Sequence, residues 1–209
     1  KFIFFWNNRN ARRKQSGSLL FWFNDFLNKV GRDKACLVMH TEVKDPNGQD
    51  LQAIIENLGL TNGEVLFSQQ KVDLQRLAMI YNMADCTINI SDAEGFGLAT
   101  LESLSCGTPI IVNMTGGLQE QVTDGKNWFG HGIQPASKSI IGSLAVPYIY
   151  EDRISQRDFE KALDWALGLN QKTYKKLSTL GRNHVNQNYN FDDYEKNWIK
   201  IMDDIVENH

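Results

Sequence analysis

The sequence predicts an α/β domain built on a doubly wound parallel sheet with helices on both faces. Short runs rich in β-branched and aromatic residues alternate with segments whose apolar residues recur about every 3.6 positions. This alternation occurs about five times, which requires right-handed crossover connections and therefore parallel strands. The runs are almost wholly apolar, as is typical of strands covered on both faces.

The elements follow one another in a regular order along the chain. The strand-like runs lie at 2–6, 35–40, 64–67, 86–90 and 109–113. The helices that follow them are predicted from apolar stripes at 19–30, 51–58, 74–81 and 98–104. Beyond them, "AVPYIY" predicts a further strand at 145–150, and the segment 124–144, with glycines and a proline but no periodicity, predicts a long loop.

The C-terminal part of the chain differs in character from the rest. Helices are predicted at 155–168, 171–188 and 191–207. We therefore divide the chain into a sheet domain at 1–150 and a helical segment at 151–209. This segment is expected to pack on the sheet and to extend toward a further domain, because the apolar residues of its last helix need a surface to cover them.

Composition excludes several classes of protein. The 209 residues are 42% hydrophobic and 11% aromatic, enough for a substantial core. The formal net charge of −3 and the pI near 5.8 argue against a nucleic-acid partner. Cys36, Cys86 and Cys106 lack metal-site spacing and are expected to be reduced, which fits a cytoplasmic protein. No apolar run reaches the roughly 18 residues of a transmembrane segment.

Ligands of doubly wound sheets bind beyond the carboxyl ends of the strands, so the loops there are the candidate site. In the loop 91–97, Gly95 and Gly97 allow a tight turn before a helix begins near Leu98, and the free N–H groups of a helix start attract anions. Glu94 and Glu102 would repel an anion but suit hydroxyl donors such as sugars. A ligand with phosphate between two sugars is a nucleotide sugar.

The loop after the first strand supplies positive charge. Arg9 and Lys14 are placed to neutralise a diphosphate and to stabilise the charge that develops when a nucleoside diphosphate leaves. The sequence offers no competing metal site, since His40, His131, His184 and His209 share no ligand spacing. Neither a metal nor a separate cofactor is expected.

The quoted segments resemble a known family. "EGFGLATLE" at 94–102 is similar to the E-x7-E motif of retaining glycosyltransferases of family 4, which have the GT-B fold. The flanking "ADCTINIS" and "CGTPIIV", together with "RNARRK" as an Arg-x4-Lys pair, follow the same pattern. The resemblance implies two Rossmann-like domains facing across a cleft. This chain would be the C-terminal, donor-binding one, and the N-terminal domain that carries most of the acceptor site is expected to be absent from it.

The resemblance also implies roles for individual residues. Arg9 and Lys14 would act on the donor diphosphate, and Glu94 would hold the hydroxyls of the transferred sugar. Glu102 would hold the ribose diol. The loop residue Gln70 would lie near the base, and the anion would be shared by backbone amides in the segment Gly95, Phe96, Gly97 and Leu98. The loop at 40–49 departs from the family pattern, which leaves its contribution open.

A retaining transfer of this kind requires no protein nucleophile. The donor's own phosphate oxygen would assist deprotonation of an acceptor hydroxyl on a glycan or other molecule, on the same face of the sugar. The protein would contribute positioning and electrostatic stabilisation. We expect the 209 residues alone to bind nucleoside diphosphate weakly and to transfer little or no sugar.

Other interpretations stay open at this point. The chain is also compatible with a nucleotide-sugar epimerase or with a non-catalytic nucleotide-binding module. The "TGG" at 115–117 is either an anion nest or a tight turn. Arg12 and Arg13 are expected to be surface charges, and a nicotinamide enzyme is disfavoured because "NNRNARRK" stands where a G-x-G-x-x-G fingerprint is needed.

Overall fold

A six-stranded parallel sheet forms the centre of the fold. The computed structural model describes residues 1–208, so His209 of the predicted helical segment lies outside it. The strands lie side by side in the order β3-β2-β1-β4-β5-β6, and each pair is parallel. This arrangement confirms the predicted doubly wound sheet. Their bounds are β1 Phe2–Asn7, β2 Ala35–His40, β3 Val65–Ser68, β4 Cys86–Asn89, β5 Ile110–Asn113 and β6 Gly130–Ile133.

Helices connect the strands and complete the chain. Four of them begin at a polar residue whose side chain accepts a hydrogen bond from the helix backbone, as expected for an N-cap: Asp50, Asp73, Ser155 and Asn170. A short 3-10 turn at Arg12–Lys14 precedes the first helix. The helices are α1 Ser16–Val30, α2 Leu51–Asn57, α3 Leu74–Met83, α4 Leu98–Ser105, α5 Leu118–Val122, α6 Gln156–Leu167, α7 Gln171–Asn188 and α8 Phe191–Asn208.

The long loop predicted at 124–144 is wrong. It contains β6 and the whole of a hairpin strand, β7 at Ser137–Ile141. Strand β6 has the sequence GHGI and lacks the apolar run that signals a buried strand. Gly130 allows close approach of the neighbouring strand β5, because a Cβ at this position would lie 1.9 Å from the Ile110 carbonyl oxygen. Only pairing with β5 makes this segment a strand.

The strand predicted at 145–150 is displaced along the chain. The observed strand, β8 at Ile149–Arg153, pairs antiparallel with β7 outside the main sheet. Pro147 falls in the hairpin loop, where its missing N–H costs no ladder hydrogen bond. The apolar run that favoured 145–150 therefore marks the exposed tip of the hairpin, and the paired residues begin after it.

Apolar residues cover both faces of the sheet. Alternate residues of β1 face opposite sides, so Phe4 and Trp6 join one cluster with helices α1 and α6 whereas Phe5 joins another with α3. A third cluster lies between β5 and the helices α4, α5 and α7. The strand ends are thereby held in fixed positions relative to one another.

The C-terminal helices differ in how much they bury. Helix α6 packs against α1 and buries Phe159 in the largest cluster, and α7 packs against α4. Helix α8 has no buried residue, although Trp198, Ile201 and Met202 lie along it. None of the helices within residues 1–208 combines the length and the apolar character needed to cross a membrane.

Two phenylalanines of the C-terminal helices should differ in their effect on stability. Phe159 is 0% exposed and its ring lies 5.7 Å from that of Trp22, whereas Phe191 is 72% exposed. We expect Phe159→Ala to lower the free energy of unfolding by about 3–5 kcal/mol through cavity formation. Phe191→Ala, the matched control, should change it by less than about 0.5 kcal/mol. Denaturant titration checks both, and equal losses would contradict the assignment of α6 to the core.

Candidate functional site

The carboxyl ends of β1 and β4 meet at the point where the strand order reverses, which is where open α/β sheets bind ligands. A cavity of about 420 Å³ lies there. Seven of the nine predicted site residues line it, namely Lys14, Glu94, Gly95, Phe96, Gly97, Leu98 and Glu102. Asn7, Asn8, Asn89 and Ala99 complete the lining. We refer to it as the first cavity.

Lys14 and Glu94 form an ion pair inside the first cavity. The Lys14 ammonium donates a hydrogen bond to Oε2 of Glu94, and each side chain is 10% exposed. Burial lowers the pKa of Lys14, and the hydrogen bond to Glu94 opposes that shift. The next residue, Gln15, has a φ of 58°, the only positive φ at a non-glycine residue in the described chain. This left-handed residue ends the 3-10 turn and leads into α1, which places Lys14 at the cavity.

The loop before α4 brings a helix start to the same cavity. Gly97 is the N-cap, with a φ of 87°, and no side chain caps the helix. A Cβ at this position would lie 2.6 Å from Cδ2 of Leu118, so glycine suits both the backbone angle and the space. The N-terminal amides of α4 thus have no side-chain acceptor, and the helix dipole favours an anion there.

The segment 115–117 contacts the backbone of this loop and supports it. A Cβ on Gly116 would lie 1.7 Å from the carbonyl oxygen of Glu94, so the two backbones are in close contact. The amide of Gly117 donates to the Gly95 oxygen at 3.0 Å, and Nε2 of Gln121 donates to the Phe96 oxygen at 2.6 Å. With its amide used in this way, "TGG" is a tight turn that supports the loop.

Glu102 is held in place by a tyrosine. The Tyr81 hydroxyl donates to Oε2 of Glu102 at 2.8 Å, and the same hydroxyl accepts from Nδ2 of Asn7 at 2.9 Å. Burial raises the pKa of Tyr81, so the hydroxyl stays protonated and remains a donor. One carboxylate oxygen of Glu102 is fixed by this contact, and the other has no protein donor within the described residues.

The other two predicted residues, Arg9 and Gln70, lie in a second cavity of about 420 Å³. Asn7 and Asn8 line both cavities, so the two adjoin. Arg9 donates from Nε and Nη2 to the two oxygens of Asp45, at 2.7 and 3.1 Å. This contact lowers the pKa of Asp45 to about 2. Arg9 and Lys14, expected to act on one group, thus face different cavities, and the loop at 40–49 contributes the partner of Arg9.

Comparison with known proteins identifies the family. The family model described as "Glycosyl transferases group 1" matches residues 30–184, about three quarters of the chain. The chain belongs to this family. Glu94 and Glu102 lie inside the matched range, whereas Arg9 and Lys14 precede it.

Individual relatives match parts of the group 1 chain. D-inositol 3-phosphate glycosyltransferase 2 of Catenulispora acidiphila is 32% identical over 105 residues, which cover 49% of this chain and 24% of the relative. A sucrose-phosphate synthase from Thermosynechococcus elongatus superimposes with a TM-score of 0.76 and 20% identity over all of this chain and 46% of its own. The C-terminal domain of a group 1 glycosyl transferase from Francisella tularensis superimposes with a TM-score of 0.67 and 19% identity. The match covers 91% of this chain and 87% of that domain.

These structural matches show the fold. The sheet and its helices correspond to one Rossmann-like half of a GT-B protein, as the sequence predicted. The chain spans about half the length of the sucrose-phosphate synthase that it matches, and the alignment with the inositol-phosphate relative spans about a quarter of that protein.

Sequence reasoning missed several residues of the site. Asn7, Asn8 and Asn89 line the first cavity, and Asp45 holds Arg9. The available signal was a polar residue at the carboxyl end of an apolar strand, as in Asn7 of β1 and Asn89 of β4. Within residues 1–208, no group of three or more His, Cys, Asp and Glu side chains is arranged to hold a metal ion.

Arg12, predicted to be a surface charge, ties the site to the β7–β8 hairpin. Its Nη1 and Nη2 donate to Glu151 at 3.1 and 2.5 Å, and Glu151 is 2% exposed. The amide of Asp152 donates to the Asp92 oxygen at 2.7 Å. The hairpin is thereby attached to both loops that form the first cavity, and Nε of Arg153 also lies 3.9 Å from Oδ2 of Asp92.

The Arg12 contact should make stability depend on pH. Hydrogen bonding from Arg12 lowers the pKa of Glu151 below its ordinary value of about 4.3. The contribution of the Arg12–Glu151 contact to the free energy of unfolding is therefore complete above that value, and it is lost as the pH falls through the folded-state pKa of Glu151. We expect Glu151→Gln to lower the free energy of unfolding by about 1–2 kcal/mol at pH 7, with the difference from wild type shrinking below about pH 4.

Denaturant titrations at a series of pH values measure this difference. Glu195→Gln, on the exposed helix α8, is the matched control and should follow the wild type throughout. A Glu151→Gln difference that stayed constant down to pH 3 would show that the ion pair is not its source.

Proposed function

We propose that this chain is the donor-binding half of a retaining glycosyltransferase that takes its sugar from a nucleoside diphosphate sugar. One observation carries the proposal: the Lys14–Glu94 pair, the uncapped start of α4 and Glu102 surround a single cavity at the switch point of the sheet. A cation and a helix start suit phosphate, and carboxylates suit hydroxyls. Membership of the group 1 family supports transfer over epimerisation.

The geometry supports a division of roles. The diphosphate would lie against Lys14 and the first amides of α4. Glu94 would accept hydrogen bonds from hydroxyls of the transferred sugar while its contact with Lys14 keeps sugar and phosphate in register. The free oxygen of Glu102 would accept from the ribose diol, with Tyr81 fixing the other oxygen. The base would extend into the second cavity, past Asn7 and Asn8 toward Gln70.

The chemistry requires only positioning and charge stabilisation from these residues. The bond between the anomeric carbon and the phosphate oxygen breaks, and its electron pair leaves with the nucleoside diphosphate. The acceptor oxygen bonds to the anomeric carbon on the same face, and its proton passes to the departing phosphate oxygen. Lys14 and the α4 dipole stabilise the charge on that phosphate, so the proposal includes no protein nucleophile and no metal.

A further domain completes the proposed enzyme. The relatives are longer than this chain, and α8 exposes an apolar face that includes Trp198, Ile201, Met202 and Ile205. We propose that the N-terminal domain of the full protein faces the first cavity and supplies the acceptor site, and that α8 packs against it. A cytoplasmic location remains a prediction from cysteine usage.

The two glutamates should differ in which ligand they affect. The test begins with wild-type protein and a thermal-shift panel of UDP, GDP, ADP and their sugar conjugates, which selects the base. We expect Glu102→Gln to weaken binding of both the nucleoside diphosphate and its sugar conjugate about tenfold. Glu94→Gln should weaken only the conjugate, by a similar factor. Titration calorimetry measures both, and Glu120→Gln, an exposed carboxylate on α5, is the matched control. Equal losses for both ligands in both variants would refute the division.

Turnover should require the full-length protein. We expect these 209 residues to bind nucleoside diphosphate and to transfer little or no sugar, because the acceptor site is assigned to the other domain. Assays of donor consumption by the chain and by the natural full-length protein test this. Release of nucleoside diphosphate by the full protein supports a transferase. Conversion into a second nucleotide sugar would identify an epimerase, and strong transfer by the 209 residues alone would contradict the need for a second domain.

A further inference from the structure

Asn89 is the last residue of β4 and lines the first cavity together with Lys14 and Glu94. All four residues of β4 are buried, and the polar side chain of Asn89 is among them, at 0% exposed. A buried amide at such a position needs hydrogen-bond partners for both its oxygen and its nitrogen. The two ends of this amide differ sharply in that respect.

The orientation of the Asn89 amide follows from Ser91. The backbone N–H of Ser91 lies 3.2 Å from Oδ1 of Asn89, and the Ser91 hydroxyl lies 2.6 Å from the same atom. A backbone N–H can only donate, so the atom facing it must be the amide oxygen. Nδ2 then faces away from Ser91, and it has no hydrogen-bond partner among the described residues.

Asn89 is not alone in this respect. Within residues 1–208, two buried amide nitrogens lack a partner, Asn89 Nδ2 and Asn8 Nδ2, and both residues line the first cavity. Asn113 occupies the corresponding end of β5 but donates to the oxygens of Ser91 and Asp152. Unpartnered amide donors therefore coincide with the cavity, and buried donors of this kind cost free energy unless something accepts from them.

The charges of the first cavity indicate which acceptor these donors suit. Its lining holds one cation, Lys14, and two carboxylates, Glu94 and Glu102. Glu94 already pairs with this cation, and Nη1 of Arg13 lies 3.5 Å from the same Glu94 oxygen. A diphosphate bound there needs donors beyond Lys14, and a carboxamide supplies N–H groups without adding charge.

We propose that Nδ2 of Asn89 donates a hydrogen bond to a diphosphate oxygen of the sugar donor. The inference rests on the proposed function and adds a ligand-binding residue to it. Because negative charge on that diphosphate grows as it leaves, the bond strengthens in the transition state. Ser91 positions the amide for this role through its two hydrogen bonds to the oxygen.

The experiment uses Asn89→Asp, which keeps the oxygen that Ser91 needs and replaces only the unpartnered nitrogen by an oxygen. The ligands are the nucleoside, the nucleoside diphosphate and the nucleotide sugar of the base that stabilises the wild type. At pH 8 we expect the Kd for both diphosphate ligands to rise about 100-fold or more, since a donor is lost and a like charge is added. The much weaker binding of the nucleoside should change by less than about twofold.

Two further variants separate loss of the donor from other effects. Asn89→Ala removes the donor without adding charge and should raise the Kd for the nucleoside diphosphate about tenfold. Asn186→Asp makes the same charge change on an exposed face of α7 and should have no effect. The Tm of each variant without ligand shows whether it is folded. If Asn89→Asp does not fold, the nucleoside diphosphate affinity of Asn89→Ala tests the proposal.

Each remaining outcome overturns a distinct statement. Unchanged affinity for nucleoside diphosphate in both Asn89 variants, with the wild type binding normally, overturns the inference and leaves the proposed function standing. A loss confined to the nucleotide sugar overturns the assignment to the diphosphate, because Asn89 would then contact the sugar. If the wild type binds none of the nucleoside diphosphates or sugar conjugates, the proposed function fails and the inference fails with it.

Discussion

The parallel pairing of β1 with β4 is the constraint on which the candidate site depends. The two strands are neighbours through Phe4 with Cys86 and Phe5 with Thr87, although far apart in sequence. Because they run in the same direction, the loops that follow them emerge at one edge of the sheet. Lys14 and Glu94, 80 positions apart, can form an ion pair only for this reason. An antiparallel pair would place the two loops at opposite edges.

Polar contacts within and between these loops help to hold them in position. Nη1 of Arg13 donates to the Ala93 oxygen at 2.6 Å, and the amide of Asp92 donates to the Arg13 oxygen at 2.8 Å. Gln121 holds Phe96 from the other side. A buried polar group costs free energy unless it is paired, so a network of this kind allows few alternative arrangements of its loops. The exceptions near the two cavities are Nδ2 of Asn8 and of Asn89, Oδ1 of Asn113 and Oγ1 of Thr41, which have no partner among the described residues.

The C-terminal helices join this framework to very different degrees. Helix α6 shares the main apolar core, whereas α8 leaves its apolar residues at the surface. An amphipathic helix without a covered face gains little from packing within its own chain. That contrast, together with the greater length of the relatives, is why we place the acceptor site of the proposed enzyme in another domain.

The sequence by itself determined the class of the fold and the neighbourhood of the site. Five strands of the main sheet follow from apolar runs, and Glu94, Gly97 and Glu102 are close in space because a single loop and helix carry them. The sequence did not reveal β6. This segment contains two glycines and no apolar run, and it forms a strand by pairing with β5. The tertiary structure alone decided that Arg9 pairs with Asp45 and that Nδ2 of Asn89, a residue of the cavity lining, has no hydrogen-bond partner among the described residues. Side-chain partners of this kind depend on which loops lie close together in the fold, and local sequence patterns do not predict this.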